Sequence, residues 1–157
     1  MKRLLSALMA VFALTVSLPV AAAEDDIVLT LRTDSDSHEF SIADLRAVGE
    51  RKIETTTIWS DGLQEFVGVP LDRLMAHVGV DSGTLEAAAV NDYAVEIPMS
   101  DVRPGGPIIA YLRNGETMSL RDKGPLWVIY PYDDGAEFRT EEVFSRSIWQ
   151  LNRITVK

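Results

Sequence analysis

The sequence predicts an α+β domain in which β-sheet predominates. Short segments of alternating or β-branched residues recur along the chain, which is typical of strands. Few segments combine a helix-start signal with apolar residues at helical spacing. The chain has 157 residues, a length that suits one domain with its own hydrophobic core. We therefore expect a mostly mixed β-sheet with a few short helices.

The N-terminus predicts a secretory signal peptide over residues 1–23. Lys2 and Arg3 supply a positive start, residues 4–20 are largely apolar, and three alanines precede Glu24. This order is typical of a cleaved leader, and an uncleaved anchor is the alternative. We expect cleavage after Ala23, a periplasmic location and no membrane insertion after cleavage. The remaining residues, 24–157, would form a single domain.

The composition excludes several kinds of site. The net charge is −9, which argues against nucleic acid or an anionic membrane as a partner. There is no cysteine, so the chain forms no disulfide and supplies no thiolate ligand. The two histidines are far apart in sequence, with His38 in a predicted polar loop and His77 on the exposed side of a predicted helix. No metal site is therefore predicted.

The first half of the domain predicts two strands and two helices. A capping box from Ser41 to Asp44 begins the first helix, which runs to Val48 before Gly49. Pro70 lies in the first turn of the second helix, whose apolar residues recur at helical spacing. The predicted strands are Ile27–Leu31 and Ile53–Trp59, and a turn is predicted at 60–62.

The second half of the domain predicts a succession of strands. A tight turn at Asn114-Gly115 indicates a hairpin, and the glycines and prolines of 103–107 indicate a loop. The predicted strands are Leu85–Val90, Tyr93–Ile97, Ile108–Leu112, Thr117–Leu120, Leu126–Tyr130 and Ile148–Val156.

Aromatic, acidic and arginine side chains gather near the predicted strand ends. A flat heteroaromatic ring can stack on Trp or Tyr, while a carboxylate accepts from its N–H edge and an arginine donates to its carbonyl. Trp59 suits ligand stacking and core packing equally, whereas Trp127 and Trp149 are expected in the core. Arg121 either binds ligand or pairs with Asp122.

Six short motifs follow one another in a fixed order along residues 24–157. They are Gly68-Val69-Pro70-Leu71, Tyr93 before Pro98, Asn114-Gly115, Arg121-Asp122-Lys123-Gly124-Pro125, Pro131, and Trp149-Gln150-Leu151-Asn152-Arg153-Ile154. Their order resembles the molybdopterin-binding domain of the sulfite oxidase family. The resemblance covers nearly all of this region and implies the fold of that domain.

One departure from that family concerns the metal. In the family a cysteine thiolate binds molybdenum at the end of the strand before the Gly-Val-Pro helix, and residues 55–62 hold no cysteine here. The chain is more similar to exported, cysteine-free proteins of this fold that bind a reduced, unconjugated pterin. Those proteins associate with the periplasmic part of a membrane protein that makes or degrades cyclic di-GMP.

The resemblance implies a non-catalytic pterin-binding protein. Its expected ligand is like neopterin or monapterin, with no covalent cofactor and no molybdenum, and its expected partner is the periplasmic domain of a membrane-bound sensor or cyclase. The alternatives are a subunit of a molybdopterin-dependent oxidoreductase and an interaction module without a ligand. No catalytic residue is predicted, and the predicted ligand-binding residues are Trp59, Asp92, Tyr93, Arg121, Tyr132, Asp133, Ser145 and Arg146.

Overall fold

A computed structural model describes residues 26–157, so the predicted signal peptide lies outside the described residues. Within them the chain forms strands, short α-helices and three 3-10 turns. The strands are β1 (Ile27–Arg32), β2 (Ser37–Ser41), β3 (Arg51–Thr57), β4 (Ser60–Pro70), β5 (Thr84–Ala89), β6 (Ala94–Pro98), β7 (Ile108–Arg113), β8 (Glu116–Thr117), β9 (Trp127–Ile129) and β10 (Leu151–Val156). The α-helices are α1 (Ile42–Val48), α2 (Leu71–His77) and α3 (Glu141–Arg146), and the 3-10 turns are Met99–Asp101, Leu120–Asp122 and Ala136–Phe138.

The strands form two sheets. The first has the order β2-β1-β10-β5-β6, in which β1 and β10 run parallel and the other neighbours run antiparallel. In the second, β3, β4 and β7 lie side by side, and β8 and β9 both pair with β7. All pairs of the second sheet are antiparallel. The predicted α+β class with a mixed sheet is confirmed.

One hydrophobic core joins both sheets and the first two helices. Leu29 of β1, Phe66 of β4 and Ile108 of β7 are fully buried in it. Leu45 of α1 and Leu74 of α2 are buried in the same cluster. Each helix therefore covers the core with its apolar side, as an amphipathic helix does.

Local signals placed the first two helices correctly. The Ser41 hydroxyl accepts from the Asp44 amide at 3.1 Å, and the Asp44 carboxylate accepts from the Ser41 amide at 2.9 Å. This reciprocal pair is the predicted capping box. Pro70 directly precedes α2, where its missing N–H costs no helical hydrogen bond.

Several elements differ from the prediction. Strand β4 was not predicted, and of the predicted strand Thr117–Leu120 only Thr117 lies in a strand. His38 lies in β2, an edge strand, where it pairs with Leu31, rather than in a loop. The chain reverses at residues 58–59 instead of 60–62, and Ser60 already begins β4. Helix α3 was not predicted; Thr140 caps it by accepting from the Val143 amide at 3.3 Å. A helix this short depends on its cap and its packing, because propensity alone does not sustain it.

The last predicted strand is split between the two sheets. The amide of Val128 donates to the Ile148 carbonyl at 2.9 Å, and Trp127 and Trp149 form an isolated bridge. Strand β10 begins only at Leu151, in the first sheet. Gln150, with φ 53°, makes the change of direction between them. We call residues 147–151 the crossing segment, because they lead from the second sheet to the first.

No helix within residues 26–157 is both long and apolar enough to span a membrane.

Candidate ligand-binding site

A pocket of about 320 Å³ opens over the crossing segment. Its walls come from the β3–β4 turn, the β5–β6 connection, helix α3 and the crossing segment itself. The volume lies at the lower end of the range for small-molecule sites. We call it the tryptophan pocket, and it is lined by Trp59, Ala89, Asn91, Tyr93, Phe144, Ser145, Ser147, Ile148, Trp149 and Gln150.

Trp59 is held in the pocket wall by aromatic packing. Its ring meets four other rings nearly edge-on, at centroid distances between 5.8 and 6.2 Å. Edge-to-face contacts of this kind stabilise one orientation of the indole. Trp59 therefore packs on the core and also borders the pocket, and its stacking on a ligand stays a prediction. The four rings belong to Trp127, Tyr132, Phe144 and Trp149.

Trp149 is a pocket residue rather than a core residue, contrary to expectation. It remains 37% exposed, whereas Trp127 is fully buried as predicted. The crossing segment explains the difference, because the chain leaves the second sheet at this point. The ammonium of Lys123 lies 4.1 Å from the Trp149 ring centroid and 5.6 Å from that of Trp127, within reach of cation–π attraction.

The polar groups of the lining are neutral amides and hydroxyls. Ser147 accepts from the Tyr132 hydroxyl at 2.7 Å and donates to the Val143 carbonyl at 2.8 Å. The side-chain amide nitrogen of Gln150 donates to the Leu120 carbonyl at 2.6 Å. The remaining amide and hydroxyl side chains belong to Asn91, Tyr93 and Ser145. None of the described residues that line the pocket carries a charge, so the lining suits an uncharged ligand with hydrogen-bonding edges.

Three of the predicted ligand-binding residues meet in the tryptophan pocket. Trp59, Tyr93 and Ser145 all line it, although they come from three separate segments of the chain. Tyr93 is 58% exposed at the pocket mouth. Its ring is therefore free to contact a ligand.

Two predicted residues lie close to the pocket without lining it. The Asp92 carboxylate pairs with Arg153 at 3.1 Å on the surface. Arg121 is exposed in the turn Leu120–Asp122. The carbonyl of Leu120 in this turn accepts a hydrogen bond from the side-chain amide of Gln150. Their ligand contacts stay predictions.

The other three predicted residues are engaged elsewhere. Tyr132 is buried behind the lining and contacts the Trp59 ring. Asp133 accepts from the Thr56 amide at 2.6 Å and from the Thr56 hydroxyl at 2.8 Å, and it pairs with Arg139. Arg146 pairs with Asp101 at 3.1 Å. The described residues that line the pocket include no carboxylate and no arginine. The lining therefore does not supply the two charged contacts that were expected at the edges of a ligand ring.

Sequence reasoning missed several lining residues. Asn91, Phe144, Ile148 and Gln150 were not proposed as ligand contacts, and Trp149 was assigned to the core. The available signal was local, since Trp149 and Gln150 occur together in the last motif. Their exposure depends on the change of sheet at the crossing segment, which no periodicity indicates.

Two of the predicted ligand-binding residues have shifted pKa values. Burial raises the pKa of Tyr132 to about 12, although its hydrogen bond to Ser147 acts in the opposite direction. Its hydroxyl is therefore a neutral donor at physiological pH. The backbone N–H of Thr56 is the largest cause that lowers the pKa of Asp133, and Arg139 acts in the same sense. Asp133 therefore remains ionised at physiological pH.

Comparison with known proteins identifies the fold. No family model matches the chain, and no curated protein matches it. Among solved structures it is similar to the sulfane dehydrogenase SoxCD from Paracoccus pantotrophus, with a TM-score of 0.62 and 18% identity over 87% of this chain. The fold is of the sulfite oxidase type. The chain spans only 39% of the length of that dehydrogenase chain, and at this identity the likeness shows the fold alone.

The residues at this site do not fit a thiolate-bound molybdenum. The chain has no cysteine. At the β3–β4 turn, where the resemblance implies the thiolate, the Trp59 ring packs against other aromatic rings. Within residues 26–157 no cluster of three or more histidine or carboxylate side chains is arranged to hold a metal ion.

Proposed function

We propose that this chain is a periplasmic, non-catalytic pterin-binding protein. It would relay the concentration of an unconjugated pterin to a membrane-bound enzyme that makes or degrades cyclic di-GMP. The observation that carries the proposal is the tryptophan pocket, in which two partly exposed indoles and a set of neutral hydrogen-bonding groups surround a space of about 320 Å³.

The chemistry of the pocket suits a flat bicyclic ring. Stacking on an aromatic side chain contributes about 1–3 kcal/mol, by analogy with nucleic acid bases. Amides such as Asn91 and Gln150 both donate and accept, which matches the alternating donors and acceptors of a pterin edge. Together these contacts are consistent with micromolar affinity, about −8 kcal/mol.

A binding role accounts for the lining better than a catalytic one. A general acid or base must lie within hydrogen-bond reach of the reacting group. The described residues that line the pocket include no histidine and no carboxylate. Its amides and hydroxyls suit binding and orienting a ring.

The signalling step requires that the ligand bind one conformation of the protein more tightly than another. A ligand shifts an equilibrium only through its different affinity for the two states. The β3–β4 turn and helix α3 both contribute to the tryptophan pocket and both have exposed outer faces. Binding would fix these segments in one arrangement, which the periplasmic domain of the membrane partner would prefer.

Calorimetry on the mature protein tests the proposal. Neopterin or monapterin should bind with micromolar affinity, and Trp59→Ala should weaken binding at least tenfold because a stacking surface is lost. Leu63→Ala is the matched control, since Leu63 lies in the same hairpin, is 64% exposed and does not line the pocket. Absence of heat and of any melting shift at millimolar pterin would refute pterin binding.

Two other outcomes would replace the proposal. Stoichiometric molybdenum in protein purified from the native periplasm would indicate an oxidoreductase subunit with unusual ligation. Capture of a membrane partner to the same extent with and without pterin would indicate an interaction module.

A further inference from the structure

Arg146, the last residue of helix α3, is joined to both sheets by one carboxylate. Its guanidinium pairs with Asp101 at 3.1 Å, and the two side chains are only 26% and 17% exposed. The same carboxylate oxygen accepts from the hydroxyl of Tyr130 at 2.8 Å, and Tyr130 is buried in the core. Asp101 lies in the turn that follows β6 of the first sheet, whereas Tyr130 directly follows β9 of the second.

This ion pair connects two walls of the tryptophan pocket. One wall is the β5–β6 connection, which supplies Tyr93, and β6 runs from there to the turn that holds Asp101. The other wall is α3, whose Phe144 and Ser145 line the pocket directly before Arg146. Helix α3 also contacts β6. The position of α3 relative to the wall that carries Tyr93 therefore depends on the pair.

Helix α3 needs such a contact because it is short. It has six residues, less than two helical turns, and a helix of this length is held by its surroundings. On the side of the second sheet, Ser147 accepts from the Tyr132 hydroxyl. Arg146 adds the contact with the first sheet. Removal of one partner would leave the other charge poorly solvated, so α3 would shift to let water reach it.

The charged groups of the pair lie outside the tryptophan pocket. Asp101 and Arg146 border a separate cavity of about 250 Å³ and are absent from the lining of the tryptophan pocket. Arg103 borders the same separate cavity, with its guanidinium 5.7 Å from the centroid of the Phe138 ring. A ligand in the tryptophan pocket therefore meets α3 at Phe144 and Ser145.

We infer that Arg146 is a positioning residue for the tryptophan pocket, where its ion pair with Asp101 holds α3 in the arrangement that binds the ligand. Arg146 acts through Phe144 and Ser145 instead of contacting the ligand, as the sequence had led us to expect. The inference rests on the proposed function and adds to it the residue pair that keeps the site in its binding form.

Calorimetry with neopterin and with monapterin tests the inference on the mature protein. Arg146→Met and Asp101→Asn should each raise the dissociation constant about fivefold to tenfold, and the double variant should raise it no further than either alone. Arg146→Lys keeps the charge and should stay within about twofold of the wild type. Arg103→Met is the matched control and should bind as the wild type does, because it removes a neighbouring arginine outside the pair.

Tryptophan fluorescence of the ligand-free protein gives a second measurement. Trp59 packs edge-on against Phe144 of α3 at 5.8 Å between centroids, so a shift of α3 uncovers its indole. Acrylamide quenching should increase in Arg146→Met and Asp101→Asn and stay at the wild-type level in Arg146→Lys and Arg103→Met. Because this measurement needs no ligand, failure of the wild type to bind pterin would overturn the proposed function and leave the quenching to decide the role of Arg146.

Two results would overturn the positioning role. A lower melting temperature with unchanged dissociation constants and unchanged quenching would make the pair a purely structural one. Weaker binding in Arg146→Met, with Asp101→Asn equal to the wild type, would make Arg146 a direct ligand contact.

Discussion

At the residue scale, Trp59 gives the β3–β4 turn an aromatic surface. The resemblance implies a thiolate at the β3–β4 turn, and here an indole occupies that region. The Trp59 ring packs against Phe144 at 5.8 Å and Trp149 at 5.9 Å between centroids. An aromatic surface at this turn offers stacking, whereas a thiolate there would offer metal ligation.

A second residue-scale feature is Asp133, which joins two parts of the chain that are distant in sequence. It binds the backbone and hydroxyl of Thr56 in β3 and pairs with Arg139. Asp133→Asn should lower the free energy of unfolding by about 1 kcal/mol at neutral pH, because hydrogen bonds to a charged acceptor are lost. Urea denaturation measures the change.

The effect of this substitution should depend on pH with a definite sign. The folded-state pKa of Asp133 is lowered, so its stabilising contribution is present above its ordinary pKa of about 3.9 and is lost as pH falls through the folded value. The gap between the wild type and Asp133→Asn should therefore close in acid. Asp134→Asn is the matched control and should change little, and an equal effect of both substitutions would contradict the assignment.

At the scale of elements, the glycine of the motif Gly68-Val69-Pro70-Leu71 is explained by the close approach of β4 to β7. A Cβ at this position would lie 2.2 Å from the Ile109 carbonyl oxygen and 2.6 Å from the Ala110 Cα, both backbone atoms of β7. The register of β4 on β7 also shifts between Val67 and Gly68. The glycine is therefore required by the pairing of two strands and not by a turn.

Gly68→Ala should destabilise the domain by about 2–3 kcal/mol or more, because two paired strands must separate to admit the methyl group. Chemical denaturation measures the loss. Gly115→Asn is the control, since nothing lies within 4 Å of its Cβ position and asparagine tolerates its positive φ of 81°. A loss at Gly68 no larger than at Gly115 would show that β4 and β7 can move apart freely.

The two helices with a local start signal were predicted, whereas strand β4, edge strand β2 and helix α3 were not. The capping box of α1 and the proline before α2 are encoded within a few residues. Strand β2 is polar and lies at a sheet edge, and α3 has six residues that begin at a threonine cap. Neither carries enough periodicity to be distinguished from a loop.

The site was predicted in part for the same reason. Aromatic residues beside turns pointed to Trp59 and Tyr93, which do line the tryptophan pocket. The charged candidates Asp92, Asp133 and Arg146 instead pair with other charged side chains. These ion pairs could not be predicted from the sequence, because the partner residues lie far along the chain or on other elements.

At the scale of the whole molecule, the tryptophan pocket lies where the chain passes from the second sheet to the first. Trp59 comes from the turn of a hairpin in the second sheet, and Tyr93 from a connection in the first. The crossing segment supplies the wall between them. A ligand there contacts both halves of one continuous core, so its binding energy should stabilise the domain as a unit.

Pterin should therefore raise the melting temperature of the whole domain in a single transition. At a free concentration of about 100 times the dissociation constant, binding adds about 2.7 kcal/mol to the free energy of unfolding. For a domain of this size that corresponds to a rise of roughly 8–10 °C. Scanning calorimetry with tetrahydroneopterin, scored against Trp59→Ala and Leu63→Ala, measures it. At the same pterin concentration the rise should fall by about half or more in the first variant and stay unchanged in the second. An equal rise in both would place the pterin outside the tryptophan pocket.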